Sequence, residues 1–372
     1  MIAWLVACAA PPQQEVPSPA PIAIDDADDA DDAPADVLFR VSDRAIRGSR
    51  FGPLADFQLR LSNALVDCGR AELVVDGMFG AATADALAEL ATCPGYEVLA
   101  DREPGALDAA AWEVVAPDVL APDALERALA LTLTFEGTDY DRAEWNLATP
   151  GDESSALTWG PFGATAGWGG EVQQVLAAVD ATRPDLVDRA FGRESRAVRR
   201  LIDVSGRDAA EYLRPVFAEP RRRVVWADGF AALGADPSVR EAYLDTALSD
   251  DWLGGSLARL WTLLPDPAAA TEVDLAFFVD LAVHVSVTDD RIAAARAAAA
   301  DATSPAERRQ AIGRVFVADL GRWAPHREGR DGAYVIDGAS LSEGERASFK
   351  RFGRVRASDV GLSDDRPSPV VF

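Results

Sequence analysis

The sequence predicts a mainly α-helical protein: a small three-helix module near the N-terminus, then a larger helical domain with a short irregular or β insertion. Three observations carry this. Apolar residues recur at three- and four-residue spacing over 53–67 and repeatedly between 123 and 322. The stretch 136–170 is rich in Gly, Thr, Asp and Trp and lacks helical period. Residues 9–36 are rich in Pro and Asp and hold no apolar pattern at all. The expected division is 1–8, 9–36 (linker), 37–95 (module), 96–120 (linker or packing segment), 121–358 (large domain) and 359–372 (tail).

The elements follow in order. Leu54, Phe57, Leu61 and Leu65 give one apolar face to a helix over 53–67. Asp76-Gly77 is a strong turn signal. Thr83 stands where an N-cap belongs, before a second helix over 83–92, and Pro94-Gly95 stops it. A short helix is expected near 109–114. Asp123 is the expected N-cap of a helix that ends at or near Glu136. Further helical signals lie at 171–182, 208–217, 237–248, 274–286 and 304–322. Arg221-Arg222-Arg223 reads as a solvated loop.

Composition narrows the function. With 372 residues the chain can hold two or three domains and bury a sizeable core. The net charge is −25, and a single Lys stands beside many Arg. Nucleic acid is a poor partner, because phosphate neutralisation needs clustered bases. The two histidines, His284 and His326, lie far apart, and no His/Cys cluster has zinc spacing. No Gly-x-Ser-x-Gly elbow is present, and the glycines of 160–170 lack the order of a nucleotide loop. No metal or cofactor is expected. No segment is long and apolar enough to span a membrane.

The apolar run Ile2–Val6 leads into Leu5-Val6-Ala7-Cys8, which resembles a bacterial lipobox. The resemblance implies lipidation at Cys8, export and a tether to the cell envelope, periplasmic or at the outer membrane. A basic n-region is missing: either the true start lies further upstream, which the tether-like segment after Cys8 favours, or Cys8 is an ordinary cysteine. Pro and like charge over 9–36 keep such a tether extended. If Cys8 takes lipid, Cys68 and Cys93 remain as a pair within one module, and an exported protein can keep a disulfide.

Phe57-Gln58 and Leu61, followed by Asp76-Gly77-x-Phe79-Gly80-x-x-Thr83, resemble the peptidoglycan-binding domain found on many cell-wall hydrolases. The resemblance implies that Asp76, Gly77, Phe79 and Gly80 mark a wall-binding module. Phe79 itself reads as core.

Over most of 123–340 the chain resembles lysozyme-like glycosidases, with chitosanases as the nearest pattern. Glu136 ends an apolar helix, Asp152 follows sixteen residues later, and Thr158 precedes Trp159-Gly160-Pro161-Phe162. Leu275–Ala282 resembles the Phe-Phe-Asp helix of that superfamily. The resemblance implies Glu136 as general acid, Asp152 as the second carboxylate and Thr158 as the residue that positions water. Where chitosanases have Arg-Gly, this chain has Glu153–Leu157, so Glu153, Glu144 and Asp141 stay open as the second carboxylate. Analogy with chitosanases points to inversion, which needs carboxyls roughly 6.5–9.5 Å apart; lytic transglycosylases manage with one Glu. Trp145, Trp159, Phe162 and Gln173 are candidate substrate contacts, and Trp168 could stack on a sugar. The expected function is cleavage of β-1,4 links in peptidoglycan by a monomer. The alternatives are chitosan cleavage and a non-catalytic envelope-binding protein.

Overall fold

The computed structural model describes residues 37–372 except Asp319 and Val371. Cys8 and the linker 9–36 lie outside the described residues. The fold is mainly helical with a minor β component.

The N-terminal part runs β1 (Val37–Arg40), β2 (Ile46–Arg47), α1 (Pro53–Asp67), β3 (Met78–Phe79), α2 (Ala81–Leu90), β4 (Ala106–Asp108) and α3 (Ala109–Val115). Pro53 opens α1 at a position where its missing N–H costs nothing, and Leu54, Phe57, Leu61 and Leu65 are its buried stripe. β1 pairs with β4, and β2 with β3, both antiparallel. The segment 96–120 is therefore structural. Leu107 is buried on β4, and Trp112 of α3 stacks on Phe57 at 4.6 Å between ring centroids. Cys68, at the end of α1, is bonded to Cys93, with the Cα atoms 6.1 Å apart.

Two local expectations change. Helix α2 starts at Ala81 with Gly80 as its N-cap. Thr83 is buried in the first turn, where its hydroxyl donates to the Met78 carbonyl and accepts from Gln58 Nε2. The Arg221–Arg223 run is not a loop; it forms the first turn of a helix described below.

The helical body begins with α4 (Ala124–Glu136). Asp123 and Glu126 form a reciprocal capping box. A three-stranded antiparallel sheet follows, β5 (Ala143–Trp145), β6 (Leu157–Trp159) and β7 (Ala164–Thr165), in that spatial order. Then come α5 (Glu171–Thr182), α6 (Pro184–Phe191), α7 (Ser195–Ile202), α8 (Gly206–Ala218), α9 (Pro220–Gly234) and α10 (Pro237–Ala247). The chain continues through α11 (Leu253–Trp261), α12 (Glu272–His284), α13 (Asp289–Ala298), α14 (Pro305–Val317), α15 (Ala324–Gly332) and α16 (Glu343–Ser348). Among the described residues no helix is long and apolar enough to cross a membrane.

Helix α12 is enclosed from Glu272 to Leu281. It carries three buried acids, and each meets arginine: Glu272 with Arg127 and Arg366, Asp274 with Arg309, and Asp280 with Arg327 and Arg330. Buried charge survives only when paired. The C-terminal tail packs onto the start of this helix: Arg366 accepts from the Glu272 amide through its carbonyl, and Asp364 receives Arg309. One continuous set of buried side chains links Leu38 in β1 to Leu362 in the tail.

Candidate functional site

Gly137 ends α4 in the left-handed conformation (φ 72°), so Glu136 is the last helical residue. A helix C-terminus carries partial negative charge and favours nearby cations. They are present: Arg47 Nη1 donates to the Gly137 carbonyl at 2.8 Å, and Arg330 Nη1 donates to Glu136 Oε1 at 2.6 Å. The Glu136 side chain keeps 23% exposure, against 6% for Arg330. Among the described residues Oε2 of Glu136 has no hydrogen-bond partner. The neighbour of this carboxylate is thus a guanidinium, although Glu136 ends an apolar helical run.

Arg330 and Arg327 both bind the fully enclosed Asp280, and Arg327 also binds Asp331. Burial alone would raise the Asp280 carboxyl, but Arg327 and Arg330 outweigh it and hold it below the usual range. Burial would lower the Arg330 guanidinium, yet Asp280 and Glu136 raise it. Asp331 goes the other way: burial pushes it up, and Arg327 only partly offsets this. His284, at the end of α12, is driven down to about 2 by burial and then by Arg330 and Arg327, so its imidazole is neutral. Glu136 is the partly exposed terminus of this otherwise buried ion network. The sequence singled out Glu136 and the helix of Asp280, but not Arg327 and Arg330, with which they pair. An Arg-x-x-Arg pair in a Gly-containing segment gives no periodic signal.

The sheet sets the next group. Glu144, Thr158 and Thr165 are direct cross-strand partners and share one face. Asn146 Nδ2 donates to Thr158 Oγ1 at 2.6 Å, and Glu144 pairs with Arg142 at 2.6 Å. Thr158 is therefore grouped with Glu144 and Asn146. Asp152 sits in the loop between β5 and β6, where its Oδ1 accepts from the Ser155 hydroxyl. Trp168 Nε1 donates to that same hydroxyl at 3.1 Å. Of the other rivals for second carboxylate, Asp141 is bound by Arg50 at 2.6 Å, and Glu153 accepts from the Gly151 amide.

The Asp152 loop is also tied to the far end of the chain. Arg322 Nη2 donates to the Pro150 carbonyl at 2.7 Å. Arg322 precedes Arg330 by eight residues, about 12 Å of helical rise. Helix α15 and the turn before it thus run from the Asp152 loop to Glu136. Two exposed tryptophans flank that loop: Trp168, 71% exposed and held at φ 45°, and Trp323, 46% exposed under the Arg322 guanidinium.

The aromatic and polar contacts expected from sequence fall elsewhere. Trp159 is fully enclosed, donates to the Tyr140 carbonyl at 2.7 Å and packs on Phe230, so neither ring face is open. Phe162 is buried against Tyr243 and Trp252. Gln173 is locked by its amide to the carbonyls of Ala166 and Val204. Trp145 is half-buried between Phe217 and Trp226.

In the small module the motif residues build the loop between α1 and α2. Gln58 Nε2 donates to Asp76, to the Met78 carbonyl and to Thr83, while Gln58 Oε1 accepts from the amides of Asp76 and Gly77. Gly77 takes φ 72°, and a Cβ there would come within 2.8 Å of the Ser49 carbonyl. Phe79 is fully buried on Phe39.

Two cavities are present that Glu136 does not line. A polar one of about 700 Å³ is lined by Arg200, Asp203, Asp208 and Glu211. An apolar one of about 250 Å³ lies between Phe51, Leu133 and Phe162. Compared with protein-family models and with curated proteins, the sequence matches none.

Proposed function

We propose that the chain is a glycosidase that cleaves β-1,4 links in the amino-sugar polymer of the cell wall. The observation that carries this is Glu136: a partly exposed carboxylate at a helix end, fixed through Arg330 by a buried ion network whose desolvation is costly. Such a network is expensive for stability alone, and it holds one carboxyl in a defined place. Glu136, paired with Arg330 through Oε1, would take a proton from solvent on Oε2, the atom that Arg330 does not engage, and pass it to the leaving oxygen. A glycosidase needs a second carboxyl across the bond. Asp152 serves that role if the bound polymer lies along α15, with Trp168 and Trp323 beside the loop as stacking platforms. Glu144 is the rival, because it shares the sheet face with Thr158. The small module would hold the wall, and Cys8 would tether the chain to the envelope.

A second reading is favoured by two specific contacts. Glu136 Oε1 is already engaged by Arg330, and Asp152 is engaged by Ser155. A scaffold that binds peptidoglycan without cutting it would tolerate both contacts.

Release of soluble muropeptides from purified peptidoglycan separates the two. The wild type should release them, and Glu136→Gln should lose at least about 100-fold in rate, the ordinary worth of a positioned acid, while still pelleting with the wall. A folded wild type that pellets but releases nothing supports the binding protein. The new ends distinguish hydrolysis from transglycosylation.

A further inference from the structure

The chain carries 61 acidic against 36 basic residues, yet the surroundings of Glu136 are basic. Arg44, from the link between β1 and β2, places its guanidinium 5.9 Å from the Phe135 ring centroid; Arg330 lies 5.1 Å from the same ring. Arg47 caps the Gly137 carbonyl. Arg354, exposed and left-handed at φ 65°, follows the turn that also carries Lys350 and Arg351.

Arg330 is neutralised by Asp280 and Glu136. The others are not. Arg44 donates only a long bond to the Phe352 carbonyl, Arg47 donates to Gly137, and Arg354 donates to the Lys350 carbonyl. Among the described residues none of the three makes an ion pair with a carboxylate. Arg44 feels the imbalance: burial lowers its guanidinium first, and Arg330, Arg47 and Arg354 lower it further. Arg44 and Arg47 are half-buried, and like charges held so without a counter-ion are unfavourable. An acidic chain has ample carboxylates with which to neutralise them. The arrangement is one that a bound anion would complete, and guanidinium forks match carboxylates and phosphates alike.

We propose that Arg44, Arg47 and Arg354 form an anion subsite beside Glu136 that takes a carboxylate carried by the amino-sugar polymer. The polymer is then a carboxylate-bearing wall glycan and not chitosan, whose amines are cationic. The inference rests on Glu136 marking the cleavage site. The carboxylate has two sources: the lactyl group of N-acetylmuramic acid once the peptide is removed, or the stem peptide when it is attached.

Calorimetric titration in the Glu136→Gln background tests this without turnover. The probes are chitotetraose, the tetrasaccharide of alternating N-acetylglucosamine and N-acetylmuramic acid with free lactyl carboxylates, and that tetrasaccharide with its stem peptides. One or both carboxylated probes should bind at least tenfold more tightly than chitotetraose. The free-lactyl arm alone identifies the sugar carboxylate, and the peptide arm alone identifies the stem. Arg44→Gln and, separately, the exposed Arg354→Gln should each cost about tenfold for the preferred probe, the scale of one charge-assisted hydrogen bond, and leave chitotetraose unchanged. Equal affinity for all three probes, a preference that survives both variants, or no binding of any probe overturns the subsite. Muropeptide release by the wild type is measured separately. If the wild type releases nothing while the preference and its arginine dependence persist, the glycosidase reading fails and the subsite stands.

Discussion

Asp280 shows what a single side chain can hold in place. It is enclosed, and it neutralises Arg327 and Arg330 together. Asp280→Asn removes the charge and leaves two buried guanidiniums short of compensation, so the variant should lose about 3–5 kcal/mol. A urea midpoint lowered at constant slope is the check. Muropeptide release should fall as well, because Arg330 would no longer be held against Glu136. A near-native midpoint would mean that the network does not act as one unit. Side chains of this kind were only half legible in the sequence. Glu136 and the Asp280 helix could be found, since each sits in or at the end of an apolar helical run. Arg330 is 194 positions from Glu136, and nothing local marks their meeting. Gln58 is the opposite case: it belongs to the same short motif as Asp76-Gly77, and its hydrogen bonds close over 25 residues. Trp159 and Phe162 follow Asp152 closely in sequence, but strand alternation turned Trp159 toward the core, while Thr158 shares the opposite face with Glu144.

At the scale of elements, α1 and α2 are joined by the Cys68–Cys93 bond across 25 residues. Closing a loop of that size in the unfolded chain contributes about 3 kcal/mol. Reduction, or Cys68→Ser with Cys93→Ser, should lower stability by that amount, read as a shifted guanidinium midpoint with and without reductant. Periodicity found α1 and α5 to the residue, along with the end of α4 at Glu136. Helices α1 and α5 bury apolar residues at three- and four-residue spacing. It did not find α6, α7, α9, α11, α13, α15 or α16. Helix α15 explains why: Ala324–Gly332 holds one proline, two glycines and four charges and has little intrinsic tendency to be helical. Its glycines serve close packing instead. A Cβ at Gly329 would stand 2.5 Å from the Ser348 carbonyl, so α16 and the turn after it could not approach. Tertiary contact makes the helix, and a one-dimensional pattern cannot report it.

Across the whole molecule, acid should weaken the fold through His284. The unfolded chain takes up this proton near pH 6.5, while the folded chain resists it down to about 2. The histidine's contribution is therefore fully present above pH 6.5 and is lost as pH falls below it. Between pH 6.5 and 5 the wild type should lose about 2 kcal/mol from this group. His284→Gln should lack that part of the slope, which denaturant midpoints at pH 7 and 5 would reveal. Equal slopes would place the proton elsewhere.

The join between the small module and the helical body bears on how such a protein could be rebuilt or shuffled. Arg47 caps the end of α4, the Arg47 amide donates to Thr134, and Ser49 and Arg50 donate to the buried carboxylate of Asp139. Arg44 reaches the same place. The module is therefore no interchangeable cassette: splicing another unit ahead of residue 121 would strip the body of Arg44 and Arg47, two of the cations near its own candidate acid. Recombination that keeps the chemistry must cut before β1, not between the two parts.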